Sequence, residues 1–254
     1  MVDGFTSALI PTALPTPKPA NSPHVVDKLA RAMLAEVEPG GRNANPADLI
    51  VLVEDLELTN MHQPNVAVGH FLEAIKAALE WRQWKSAASR EKAVKGLRER
   101  CSFHLMKPMV EAYFFGEPAA PTRAGSTRSN RFSTSQDVES FMIADPKYAA
   151  VPEGHRWWAS PNRYQHPKKY LDCLCTPFVD DLSEKSEVHS YRETKHGPRA
   201  LETLSWASVL ASASHAPFAR SLFEDLASAL QAKNPFPGVC APETRVKEGL
   251  LRNA

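Results

Sequence analysis

The sequence predicts an α/β protein: a mostly parallel sheet flanked by helices, with a helical C-terminal part. Three observations carry that expectation. The aliphatic run in "LIVLVEDLELTN" (Leu49 to Asn60) has the composition of a buried strand. A loop and a long amphipathic helix follow it, the order of an α/β unit. Two more helical patterns come late in the chain, at about Pro198 to Ser212 and Pro217 to Gln231.

The chain begins with a proline-rich stretch containing "PTALPTPKPANSP", and residues 1–22 read as an extended, disordered segment. Ser22 followed by Pro23 is a helix start, a capping residue ahead of proline at the first helical position. Val26, Leu29, Ala30, Met33 and Leu34 then recur at helical spacing. "EPGGRNANPAD" ends that helix and leads into the strand Leu49 to Val53. Aliphatic on both faces, the strand is expected at the centre of a covered sheet. "TNMHQPN" is a loop in which Asn65 can cap the next helix, whose apolar face is Val68, Phe71, Leu72, Ile75, Ala78 and Leu79.

A basic, charge-rich helix follows at about Ser89 to Arg100. In "CSFHLMKPMVEAYFFGEP" a helix is expected from about Lys107 to just before Gly116, with Glu111 off its apolar faces. Residues 117–161 are polar and weakly patterned, a long excursion over the surface. "HPKKYLDCLC" reads as a short helix. In the last predicted helix Phe218, Leu222, Phe223, Leu226 and Leu230 share a face. The expected organisation is one α/β domain over 23–232, followed by a flexible tail over 233–254.

Composition narrows the function. With 43% hydrophobic and 23% charged residues among 254, the chain is that of a globular protein able to bury a large core. A formal charge of +1 excludes a global field for nucleic acid, so such binding needs a local basic patch. The four cysteines, Cys101, Cys173, Cys175 and Cys240, do not form a disulfide framework, which points to a cytoplasmic setting with reduced thiols. No apolar run reaches membrane-span length, and the N-terminus lacks the basic region of a signal peptide.

The acidic strand end is the principal chemical signal. Ligands of open α/β sheets lie outside the carboxyl ends of the strands, where Glu54, Asp55 and Glu57 fall. In extended geometry Asp55 and Glu57 project to the same side. Paired carboxylates suit Mg²⁺ or another divalent cation, which would add water and phosphate oxygens. The alternative is an acidic turn paired with surface lysines.

The same stretch resembles the acidic second motif of Toprim domains, where D-x-D (here D-x-E, Asp55 and Glu57) follows a hydrophobic strand. Downstream, "HLMKPMVEAYFF", "HPKKYLDCL", "YRETKHGPRALETL" and "FARSLFEDLASAL" are similar to a bacterial Toprim-related family, the RloB-like proteins often encoded beside restriction or ATPase genes. The resemblance spans roughly Leu49 to Leu230. It implies a Toprim-like α/β core and metal-dependent phosphodiester chemistry on nucleic acid, in phage defence or mobile-element conflict. Asp55 and Glu57 would be metal ligands with Glu54 contributing, and Glu111 a further carboxylate. The chain departs from the family pattern in one respect: the glutamate expected after an earlier strand is not found, since Glu36 and Glu38 end a helix-like stretch. The other reading is therefore a non-catalytic Toprim-like module that binds a partner ATPase.

Other residues are candidates on their own chemistry. "YRETKHG" groups Arg192, Lys195 and His196 beside Tyr191, a set able to neutralise phosphate and shuttle a proton, or simply a solvated charged helix start. Lys168 and Lys169 suit phosphate contact. In "HRWWASPNRY", Arg156, Trp157, Trp158, Arg163 and Tyr164 suit either base stacking or a packed loop. Cys101 with His104, and Cys173 with Cys175, fall short of a four-ligand zinc pattern and read as buried thiols; no orienting partner supports a Cys–His dyad. No phosphate-binding glycine loop is present.

Overall fold

The computed structural model describes residues 25–39, 45–149, 162–175, 191–241 and 249–254. The predicted disordered segment 1–22, the helix start at Ser22 and Pro23, and Arg156, Trp157 and Trp158 lie outside them. The chain divides into two compact units where the sequence predicts one domain: unit 1 is Met1–Met106 with Pro217–Ala254, and unit 2 is Lys107–Ala216.

Unit 1 is the α/β part. Helix α1 (Val25–Val37) buries Val26, Ala30, Met33 and Leu34, the apolar face expected from the sequence. Strand β1 (Ile50–Asp55) is followed by a 3₁₀ turn over Leu58–Asn60. Helix α2 (Pro64–Trp81) begins with proline at its first position and Gln63 as cap, so Asn65 lies inside the helix and does not cap it. All six predicted apolar residues of α2 are buried. Helix α3 (Ala87–Arg100) starts two residues earlier than expected, on a capping box in which Ser86 and Ser89 each accept from the other's backbone N–H.

The chain then enters β2 (Cys101–Met106), a strand the sequence reading missed. It pairs in parallel with β1, Ile50 opposite Cys101 through Asp55 opposite Met106. Ser102 and His104 put polar atoms on one face of β2, which hides the alternation from hydropathy, yet all six residues are buried. Cys101, Phe103 and Leu105 form the other face and join the core, where the Phe103 ring stacks on Phe71 with centroids 4.3 Å apart. Burying each of these two rings contributes roughly 2–3 kcal/mol.

β1 is therefore not the central strand of a covered sheet. The sheet has two strands among the described residues, and Ile50, Val51 and Leu52 are only half-buried while Val53 is 38% exposed. The strand also runs further than expected and takes in Glu54 and Asp55.

Unit 2 begins with a single helical turn, α4 (Glu111–Phe114), in place of the longer helix expected from about Lys107 to just before Gly116. The predicted surface excursion 117–161 is, over its described part to Ala149, a packed structure. Short helices α5 (Ala120–Arg123) and α6 (Pro146–Ala149) frame buried Phe132, Val138, Phe141, Ile143 and Tyr148. Phe132 and Phe141 stack at 5.0 Å, and Phe115 and Tyr170 complete the aromatic cluster. Helix α7 (Pro167–Cys175) matches its prediction.

The expected helix from Pro198 to Ser212 is two pieces, α8 (Glu193–Glu202) and α9 (Trp206–Val209). Pro198 lies inside α8, and Ser205 caps α9 by accepting from the Ser208 backbone N–H at 3.3 Å.

Unit 1 resumes with α10 (Pro217–Ala229), which buries Phe218 and Leu222 but leaves Leu230, just beyond it, 67% exposed. The tail predicted to be flexible packs at its described end, where Ala241, Leu250, Leu251 and Ala254 are buried, while Val239 is exposed. Arg252 donates its backbone N–H to the Cys101 carbonyl at 2.8 Å. The Asn253 side chain accepts from the Phe103 N–H at 3.1 Å and donates to the Phe103 carbonyl at 2.7 Å. The last residues thus satisfy the backbone of β2 as a third strand would.

Candidate functional site

The predicted site residues fall in two places, one in each unit. In unit 1 they lie at the end of β1. Strand alternation places Glu54 on one face, where it is 8% exposed, and Asp55 on the other, half-buried. Leu56 still donates its N–H to the Met106 carbonyl at 2.9 Å. At Glu57 the backbone swings to φ 64°, ψ 155°, a region that side chains rarely occupy. Extended geometry ends there, so the period-two rule that aligned Asp55 with Glu57 does not reach it.

The donor chemistry of Asp55 and Glu57 fits Mg²⁺, which takes one or two carboxylates and completes its shell with water and phosphate oxygens. Among the described residues no group of three or more His, Cys, Asp or Glu side chains is placed to hold a metal ion.

Unit 2 gathers the other candidates from three separate stretches. Glu111, the first residue of α4, is 1% exposed. Its carboxyl Oε1 accepts from the Tyr191 hydroxyl at 2.9 Å. Burial holds the Glu111 carboxyl above its ordinary range; Lys168 and the hydrogen bonds it accepts pull the other way, and Glu193 adds to the rise. Lys168, in the first turn of α7, is ion-paired with Glu193, the first residue of α8. The Tyr191 phenol is pushed far up, by burial first and then by the Glu111 charge.

His196 lies one turn into α8, where Nδ1 accepts the Arg192 backbone N–H at 3.0 Å. Burial, then Lys195, Arg192 and Arg199, keep this imidazole below its usual range. His166, just ahead of α7, is driven down to about 3, by burial first and then by Lys169 and Lys168. Burial also lowers the Lys169 ammonium. Burial first and nearby cations second thus favour the neutral form of both histidines. Lys195 and Arg192 are exposed. The arrangement can attract an oxyanion to its cations beside a buried carboxyl whose protonated form burial favours.

Glu193 and Tyr191 are the residues the sequence reading did not assign. Neither has a local spacing signal, since Glu193 meets a lysine 25 positions away and Tyr191 a glutamate 80 positions away.

The remaining candidates are structural. Cys101 and Cys175 are buried thiols, each pushed up by burial to about 12, and all four cysteines are free. His104 does not face a cysteine ligand: its Nε2 lies 3.3 Å from Oδ2 of Asp225 on α10. Arg163 is buried, with its guanidinium over the rings of Tyr148 and Tyr164. Among the described residues no helix is long and apolar enough to cross a membrane. Comparison with family models, with curated proteins and with solved structures finds no match to this chain.

Proposed function

We propose that the chain is a Toprim-like, Mg²⁺-dependent nuclease or phosphoryl-transfer protein that acts on nucleic acid in the cytoplasm, in phage defence or mobile-element conflict. The observation that carries this reading is the meeting of Glu111, Lys168, Tyr191 and His196 in unit 2. These residues come from the three stretches "HLMKPMVEAYFF", "HPKKYLDCL" and "YRETKHGPRALETL" that resemble the Toprim-related family.

In this reading Lys168, Lys169 and Arg192 bind phosphate oxygens, and the Glu111 carboxyl, whose protonated form burial favours and whose Oε1 accepts from Tyr191, gives a proton to the leaving oxygen. Lys195 adds positive charge, and His196, held below its usual range, is available to accept a proton. Asp55 and Glu57, in unit 1, would hold Mg²⁺, which would supply positive charge and a bound water of lowered pKa there.

Incubating the purified chain with labelled single- and double-stranded DNA and RNA, with and without Mg²⁺, tests this. Cleavage should require Mg²⁺ and disappear in Asp55→Ala and Glu57→Ala while circular dichroism is unchanged. A chain that binds no divalent cation and cuts nothing ends the enzymatic reading.

A second reading, a non-catalytic module that docks on a partner ATPase, is favoured by the half-buried aliphatic face of β1, with Val53 exposed. It predicts a stable co-purifying complex that Asp55→Ala leaves intact.

A further inference from the structure

We propose that Glu193 is a built-in competitor for phosphate: its carboxylate holds Lys168 until a phosphate oxyanion displaces it. The inference rests on the phosphodiester reading of unit 2 and adds a gate to it.

The geometry is that of a replaceable contact. The side chains of Lys168 and Glu193 are 33% and 26% exposed, so the pair is open to solvent on one side. On the other it acts on buried Glu111, which Lys168 stabilises as an anion and Glu193 as a neutral acid. An ion pair this exposed adds little to stability, so losing it to a better anion is inexpensive.

The surroundings favour an anion over the lysine–carboxylate pair itself. Lys169 neighbours Lys168 on α7, and Arg192, Lys195 and Arg199 surround the start of α8. Of the two carboxylates on α8, Glu193 is in the first turn and Glu202 is the last residue. Arg192, at the capping position of α8, carries only donors and makes no side-chain cap. Glu193 pairs with Lys168 among these cations. A phosphate brings more acceptor oxygens and more charge than a carboxylate, and it can engage Lys168 and a neighbouring cation together. Its arrival releases Glu193 to solvent and puts an oxyanion in its place beside Lys168.

The test is titration of the full chain with inorganic phosphate at pH 7, followed by calorimetry and by amide shifts of α8. Removing the carboxylate in Glu193→Gln, or in Glu193→Ala as a second variant, should tighten phosphate about two- to fivefold, the scale of one exposed ion pair. Lys168→Ala should weaken it about tenfold, and in the Lys168→Ala background Glu193→Gln should change nothing further. Glu202→Gln should match the wild type. Equal phosphate affinity in wild type and Glu193→Gln, or equal tightening by Glu202→Gln, overturns the competitor and leaves the phosphate site standing. Absence of phosphate binding in every variant overturns the phosphodiester reading of unit 2 together with it.

Discussion

The Tyr191 hydroxyl donates to Oε1 of Glu111 across 2.9 Å, joining residues 80 positions apart inside unit 2. Both groups are buried, so each is the other's substitute for water. Tyr191→Phe leaves that carboxyl oxygen without this donor. The expected loss is about 1–2 kcal/mol in urea unfolding at pH 7. An unchanged midpoint would mean that the bond contributes nothing.

Glu111 itself sets a pH dependence. Its folded pKa is raised by burial, so its contribution to stability is complete below the unfolded carboxyl range and declines as pH rises through the folded value. Glu111→Gln keeps the shape and removes the ionisation. Thermal melts between pH 4 and pH 8 should show a flatter profile in the variant, which overtakes the wild type toward the alkaline end.

His166 works with the opposite sign. Burial and the charges of Lys169 and Lys168 bring it from an ordinary 6.5 down to about 3. The folded state therefore keeps it neutral, and stability is lost as pH falls from 6.5 toward that value. His166→Gln should flatten this acid limb. Equal acid sensitivity in both proteins, measured by equilibrium unfolding from pH 7 to pH 4, counts against the assignment.

The docked tail gives a prediction for unit 1. Arg252 reaches Oδ1 of Asp225 at 3.2 Å, and Asp225 also holds His104. Burial pushes the Asp225 carboxyl up, but His104 and the Arg252 charge prevail and leave it below its usual range. Its stabilisation is therefore present above the unfolded carboxyl pKa and is lost as pH falls through the lower folded value. Asn253→Ala removes both side-chain bonds to Phe103 and should cost about 1–3 kcal/mol. Faster hydrogen exchange of the Phe103 amide is the direct readout.

Glu57 separates fold from function. Glycine relieves its φ of 64°, so Glu57→Gly should stabilise unit 1 by about 1 kcal/mol. If Glu57 holds Mg²⁺, the same change removes metal-dependent cleavage. A more stable protein with full activity would remove Glu57 from the metal site.

Much of the helical frame was legible because α1, α2, α7 and α10 carry an apolar stripe at the helical period. β2 was not, because two of its six buried positions are Ser102 and His104, and the partner that makes His104 tolerable sits 121 positions later. The packed part of 117–149 was hidden for a related reason. Its core rests on scattered aromatics and on hydroxyl contacts such as Tyr170 to Asp145, at 2.8 Å, that have no period. At the site, residue chemistry singled out Glu111, Lys168 and His196. What local spacing cannot supply is who meets whom, and so Glu193 and Tyr191 emerged only from the fold.

Unit 1 is written in two instalments, with all of unit 2 between Met106 and Pro217. On the ribosome, β2 leaves the tunnel long before α10 and the arginine and asparagine that complete its bonding. The Phe103 backbone waits for a residue 150 positions downstream. Unit 2, contiguous, is free to close first. Synthesis itself thus orders the assembly of unit 1, whose later segment finishes the earlier one.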